Sequence, residues 1–582
     1  MKRDSEQEDN PSVVSRRKFV GNLGKATVTA AAIGTVPFAG SKASGVEAAD
    51  NAVPGRMNDC FNYRKNAALA QRINVGVQSD NGDIARFTDF SGNYSKALRH
   101  DALGIPNADA MRSLRRAFES GDFASFENIL LGTPGGGGNS RLNGPQGALA
   151  FDLEGTDSHA TVIPAAPSVA SAQTAAEMVE HYWGSLLADV PFIEYATDPL
   201  VGQAVADMND MSFLASGANN QFPYPVTRQN LFRGQFVAGD GNVKGPYISQ
   251  FMVQPTFYGA QPMDQRYRTF LPVGSGGADY MTDPNEYETI QNGGNSGRSI
   301  AYDTEFRHIR NGRDLAAYTH VDVLFQSYFV AFLVLDSLGA RSNPGNPYVR
   351  SVTQKGFGTL GGPDCAGTLA EMATRALKGS WFHKWIKNLR LRPEEYGGLV
   401  QARMTNSGPM PQAAAALHTD VLNSAGLART YSAYGSYLLP QAFPEGSPTH
   451  PCYPTGHGTV AGACITLLKF FFDGKQKIRP LLTAAGRDVF EPSTDGLSLN
   501  AYSGDDANEL DINGELNKLA WNVSTGHGIH SGIHFRSSTY WSILLGEQVA
   551  LGVLQDRAKS YNEPFTINIT KFDDTNATIT NQ

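Results

Sequence analysis

In the second half of the chain, apolar residues recur at helical spacing and no Val/Ile-rich strands alternate with them, which disfavours a parallel sheet built from strand–helix units. Residues ~316–338 are apolar on nearly all sides and end at Gly339, as a helix inside a bundle would. Residues ~366–389 place Leu369, Met372, Ala373, Ala376, Ser380 and His383 at helical spacing, and Pro393 closes the pattern. Residues ~412–437 are Ala/Leu-rich. Residues ~456–472 put Val460, Cys464, Leu467, Leu468 and Phe471 on one stripe, with Gly458 and Gly462 letting a second helix approach. Residues ~532–554 carry His534, Ser538, Trp541 and Leu545 on one face. The first half is punctuated by turn formers, and its run of glycines from Gly132 to Gly138 lacks the Gly-Lys-Ser/Thr ending of a phosphate-binding loop. The expected fold is all-α, a helical-bundle core with long irregular insertions.

A length of 582 residues allows about three or four ordinary domains or one large, loop-rich enzyme domain. With 41% hydrophobic and 18% charged residues the chain is globular rather than disordered. The net charge of −8 and the lack of a basic stripe argue against a nucleic-acid partner, because phosphate neutralisation supplies most of that affinity. No segment reaches the roughly 20 apolar residues of a membrane helix, so the mature protein is expected to be soluble, without a membrane partner. Ser15-Arg16-Arg17-Lys18-Phe19-Val20, a weakly apolar run of small residues to about Ala39, and Val46-Glu47-Ala48 read as a twin-arginine signal over residues 1–48. That signal predicts export to the periplasm or the outside. Cys60, Cys365, Cys452 and Cys464 allow three pairings, among which the spacing does not choose, and Cys464 on an apolar helix face is expected to be a buried free thiol.

His450 to Thr459 read HPCYPTGHGT, a Pro-containing turn entering a helix at Gly456. Free N–H groups and the positive end of the dipole make such a start an anion site, to which Thr455 adds a hydroxyl and His457 a proton carrier near neutral pH. Lys384 and Arg392 lie eight residues apart before Pro393 and can converge on one oxyanion as point charge and planar fork. His527, His530 and His534 have an H-x2-H-x3-H spacing that suggests zinc, but Gly528 and Gly532 make a poor helix and no carboxylate follows at a fitting distance. A single His534 opening the helix towards an anion suits the glycine-rich approach better.

Lys384…Arg392-Pro393, His450-Pro-x-Tyr-Pro-Thr455-Gly456-His457 and Gly532-Ile-His534-Phe-Arg536 resemble, in order and type, the motifs of the vanadium-dependent haloperoxidases, which share their site with the type 2 acid phosphatases. Gly345-Asn-Pro-Tyr348, Pro393-Glu-Glu-Tyr-Gly-Gly398 and Ser447-Pro-Thr-His450 look like the algal-type bromoperoxidases. The resemblance implies an all-helical fold with two four-helix bundles, residues 49–310 forming the N-terminal helical and loop-rich part of the domain and 311–582 its catalytic bundle. It implies vanadate as cofactor, with Lys384, Arg392, Thr455 and the Gly456 N–H on its equatorial oxygens, His534 as axial ligand to the metal and His457 as acid–base group. Hydrogen peroxide polarised by Lys384, a halide and small organic substrates would be its partners, in a homo-oligomer of two or more copies. His450, where chloroperoxidases carry Phe, favours bromide or iodide, and Trp381 would stand on the halide side.

Two positions depart from the family pattern. The usual serine of the turn is Thr455, which keeps the hydroxyl but stiffens the rotamer. The family's second arginine, six residues before the axial histidine, is Gly528 here, so the cation is either absent or replaced by His527 or His530. Losing one charged donor costs roughly 1.5–3 kcal/mol, about 10- to 100-fold in affinity, and Gly528→Arg is the discriminating substitution: a rise in vanadate affinity would support the missing-cation argument. Arg536 is not counted as that ligand. The alternatives are a vanadate-free acid phosphatase in which His534 attacks phosphorus, and an oxyanion-binding protein with a degenerate site.

Overall fold

The computed structural model describes residues 55–70, 78–101, 105–135, 140–217, 221–237, 243–406 and 408–582. The twin-arginine segment lies outside them. The chain divides into two units, Met1–Lys65 and Asn66–Gln582. Of the first, Gly55 and the start of the helix Arg56–Ala70 are described, and that helix carries the exposed Cys60. Everything that follows concerns the second unit.

That unit is built on helices α1 (Ala172–Leu186), α2 (Gly312–His320), α3 (Gln326–Ser337), α4 (Gly362–Phe382), α5 (Pro393–Thr405), α6 (Gly456–Phe471), α7 (Ile512–Gly526) and α8 (Arg536–Ala558). Among the described residues the strands form only four two-stranded antiparallel ribbons, so the fold is all-α. All residues of α6 are buried, and α4, α7 and α8 pack around it. Glycines set the closest approach: a Cβ on Gly462 would lie 1.9 Å from the Ile543 carbonyl of α8, and one on Gly546 2.0 Å from the Thr459 carbonyl of α6. Each Leu, Ile or Phe that this seam removes from water contributes about 1.5–3 kcal/mol. A second helical group gathers around α1, against the short helices Pro199–Asn209, Thr419–Leu422 and Ala425–Tyr434.

The line at 310/311 falls inside this unit. The strand Tyr267–Phe270 pairs with Tyr302–Arg307 and packs on α2, and buried Arg313 of α2 donates to Asp189 at 2.6 Å and to Asp279 at 2.9 Å. The two stretches are therefore parts of one packed body.

Three helices expected as continuous are divided. The run 316–338 breaks between α2 and α3, where Asp322 turns inward while Val321 and Val323 stay exposed. The run 412–437 is three short helices, Gln412–Ala415, Thr419–Leu422 and Ala425–Tyr434, the last two capped by His418 and Ser424. The run 366–389 is α-helical only to Phe382, after which His383–Asn388 widens into a π-turn ended by Leu389 in the left-handed region, φ 41°. Such single π-turns concentrate at functional sites. No helix among the described residues is long and apolar enough to cross a membrane.

Candidate active site

The turn before α6 ends on Thr455, whose extended backbone, φ −78° and ψ 141°, makes it the N-cap. Its side chain does not cap the helix, and Thr455 Oγ1 is buried without a hydrogen-bond partner among the described residues. A buried hydroxyl without a partner costs about 1–3 kcal/mol, so its place beside the α6 N-terminus calls for an acceptor. The Thr455 N–H itself donates to the Ser538 carbonyl of α8 at 3.3 Å.

The π-turn and the N-terminus of α5 deliver the two cations. Lys384 is fully buried, and its Nζ donates to the carbonyls of Pro451 at 2.8 Å and Cys452 at 3.3 Å while standing 5.8 Å from the Trp381 ring. Arg392, also fully buried, donates from Nε to the His450 carbonyl and from Nη1 to the Ile533 carbonyl, both at 2.8 Å. Its Nη1 lies 2.8 Å from His534 Nε2 and its Nη2 2.9 Å from His450 Nδ1. Glu395 fixes where the guanidinium starts, accepting the Arg392 backbone N–H at 2.7 Å. No carboxylate bonds to the Lys384 ammonium or the Arg392 guanidinium among the described residues. Burial, then the neighbouring Arg392 charge, pushes the Lys384 ammonium well below its usual range. Two buried cations held by neutral groups are stabilised by an anion.

Four imidazoles complete the cluster. His534 follows the His527–Gly532 turn and sits two residues before α8 rather than in it. The His450 ring lies 4.8 Å from the Trp381 ring and 6.3 Å from that of His534. His457, in the first turn of α6, stacks on His527 with centroids 3.8 Å apart. Burial, then Arg392 and Lys384, holds His534 well below the usual histidine range; burial, Lys384 and Arg392 do the same to His450. Both are therefore neutral rings at neutral pH, able to lend a lone pair.

Sequence reasoning missed Asp322. Its carboxylate oxygens lie 3.0 and 3.1 Å from His457 Nε2, and it reaches them from the break between α2 and α3, with no glycine or proline to mark the spot. Cys452 was also missed as a site residue. Among the described residues no cysteine is in a disulfide, and Cys452 Sγ stands 3.4 Å from His534 Nδ1.

The candidates for the absent arginine separate cleanly. His527 belongs to the cluster, with Nδ1 donating to the Thr319 carbonyl at 3.0 Å. His530 does not: it turns away to the Tyr247 hydroxyl at 3.2 Å, packed against Phe192 and Phe232, because the turn sends it to the opposite side of the chain. At Gly528 a Cβ would lie 2.7 Å from the Ser524 carbonyl, so this backbone has no room for an arginine there and Gly528→Arg would not restore the cation. Arg390 and Arg536 are engaged elsewhere, by Glu177 at 3.1 Å and by Glu180.

The arrangement can bind a tetrahedral oxyanion, offer it one imidazole lone pair and exchange a proton through another. No family profile matches the chain. It is 32% identical over 549 residues to a vanadium-dependent bromoperoxidase of Ascophyllum nodosum, covering 90% of this chain and 93% of that one. It is 31% identical over 560 residues to one of Corallina pilulifera, covering 84% and 90%. A solved structure of a vanadate-dependent bromoperoxidase from Ascophyllum nodosum, described as homohexameric, superposes with a TM-score of 0.81 at 26% identity over 94% of this chain and 95% of that one. The chain belongs to the vanadium-dependent bromoperoxidase family.

Proposed function

We propose that this protein is a vanadate-dependent peroxidase that oxidises bromide, or iodide, with hydrogen peroxide to a hypohalous acid equivalent, which halogenates small organic substrates. One observation carries the reading: among the described residues Lys384 and Arg392 are buried without a carboxylate partner, Thr455 Oγ1 at the start of α6 has no hydrogen-bond partner, and Arg392 Nη1 lies 2.8 Å from His534 Nε2. That donor set fits vanadate, a phosphate-like oxyanion. Vanadate, when bound, supplies the Lewis acid that activates hydrogen peroxide toward the halide without itself changing oxidation state.

The chain's own groups have separate tasks. Lys384 and Arg392 exchange bonds to carbonyls and imidazoles for bonds to the anion's oxygens. Thr455 Oγ1 and the Gly456 N–H donate from the helix start, and His534 presents Nε2 as the metal ligand. His457, whose Nε2 is taken by Asp322, keeps Nδ1 to give or take a proton. Trp381 and His450 line the halide side. His527 reaches the cage where His530 does not, but a ring whose Nδ1 is committed to Thr319 is no substitute for a guanidinium. Vanadate affinity is therefore expected to lie about 10- to 100-fold below that of a cage with a third cation.

The homohexameric neighbour supports a homo-oligomer, and Ser15 to Val20 support export by the twin-arginine route to the periplasm or outside. Vanadate reconstitution tests the function: peroxide-dependent bromination of monochlorodimedone is expected only after loading, and its absence would sink the reading. Hydrolysis of p-nitrophenyl phosphate by vanadate-free protein, lost on His534→Ala, would redirect it to an acid phosphatase.

A further inference from the structure

The Cys452 thiol sits at the junction of a buried hydrogen-bond chain behind His534. Arginine N–H groups can only donate. Arg392 Nη1, 2.8 Å from His534 Nε2, therefore makes Nε2 the acceptor, and a neutral ring then carries its proton on Nδ1. Cys452 Sγ is 3.4 Å from that Nδ1. On the other side Arg390 Nη1 donates to Ser537 Oγ at 2.7 Å and to Ser538 Oγ at 3.3 Å, and Ser538 Oγ lies 3.4 Å from Cys452 Sγ. The thiol's own proton has the Ile533 carbonyl at 3.9 Å. The direction that matters is set by Arg392: His534 Nε2 accepts, so Nδ1 carries its proton towards Cys452 Sγ. The Cys452 backbone is fixed as well: its N–H donates to the Arg390 carbonyl at 2.9 Å and its carbonyl accepts from Lys384.

We infer that Cys452 is a positioning residue, its sulfur accepting the Nδ1–H of His534 and so holding the imidazole in the tautomer and orientation that aim the Nε2 lone pair into the cage. The inference rests on the bromoperoxidase reading. Groups that hold the far nitrogen of a ligating histidine change metal affinity by about 10- to 100-fold when removed.

The test is equilibrium binding of orthovanadate to the full chain and three variants, by dialysis with vanadium quantitation, together with the 51V resonance of the bound anion. Cys452→Ser keeps an acceptor; Cys452→Ala and Cys452→Val delete it, one with less volume and one with more. Ala and Val are expected to bind vanadate about 10- to 100-fold more weakly with a shifted 51V resonance, and Ser to retain both the affinity and the resonance. Ala or Val binding as tightly as the parent overturns the inference while leaving the bromoperoxidase reading intact, and so does Ser losing as much as Ala. A parent chain that binds no vanadate overturns both. Should Ala and Val fail to fold, Ser decides alone: retained affinity supports the inference and lost affinity overturns it.

Discussion

Two sets of buried cations, one of them including Arg390 between Lys384 and Arg392 of the other, live in opposite surroundings. Arg390 and Arg536 each meet a carboxylate, Glu177 and Glu180 of α1, in sites no more than 3% exposed. Among the described residues Lys384 and Arg392 meet carbonyls, imidazoles and the Trp381 ring but no carboxylate, although they are as deeply buried. The first set is complete, its charge cancelled inside the fold, and it ties α1 to the start of α8. The second set is complete only with an anion. A pair of charges that compensate each other acts on the fold, whereas a pair left uncompensated acts on a ligand.

Breaking the paired side should cost the most. Glu180→Gln leaves the Arg536 guanidinium buried without its counter-charge and is expected to lower stability by about 3–5 kcal/mol, read as the denaturant midpoint of vanadate-free protein. A loss under about 1 kcal/mol would mean that the carbonyls of Gln221 and Arg233, which Arg536 also reaches, suffice. On the unpaired side, Asp322→Asn should lower bromide turnover by about 100-fold with little change in vanadate affinity, since it acts through the His457 proton. Arg392→Gln should do the reverse, weakening vanadate roughly 10- to 100-fold by equilibrium dialysis while destabilising the fold less than Glu180→Gln does.

Acidification separates the sets differently. Burial pushes His181 and His530 down to about 3 and His100 and His383 down to about 4. These rings are neutral in the folded protein but protonate near pH 6.5 once unfolded. The unfolded chain therefore binds more protons, so stability falls as pH drops below about 6.5 and continues to fall towards those depressed values. Each ring contributes at most about 1.4 kcal/mol per pH unit. A midpoint flat from pH 6.5 to 4.5 would contradict this. The smallest effect is expected for Thr455→Ser, which keeps the hydroxyl donor and should change vanadate affinity by less than about threefold.

Legibility followed the range of the interactions. The α6 stripe and the close approach of some second helix at Gly458 and Gly462 were readable because helical period and missing Cβ atoms are local properties, and the structure shows that helix to be α8. Lys384, Arg392, Thr455, His457 and His534 were readable as candidates because they fall in ordered motifs. Asp322 was not, because a carboxylate inside an apolar run reads as a helix face until His457 is known to stand opposite it. The separation of His527 from His530 was equally hidden, since spacing cannot say which side of a glycine-containing turn each ring takes.

By itself, the sequence determined that the chain is helical, that one helix begins at Gly456 on an anion-ready turn, and which residue types could surround an anion there. Only the tertiary structure decided which of these cations meet no carboxylate among the described residues, which histidine joins them, and that Asp322 lies against His457 and Cys452 against His534. The physical reason is that helical period and capping act between residues a few positions apart. Charge compensation and hydrogen-bond direction are settled between side chains that meet only after the helices have packed.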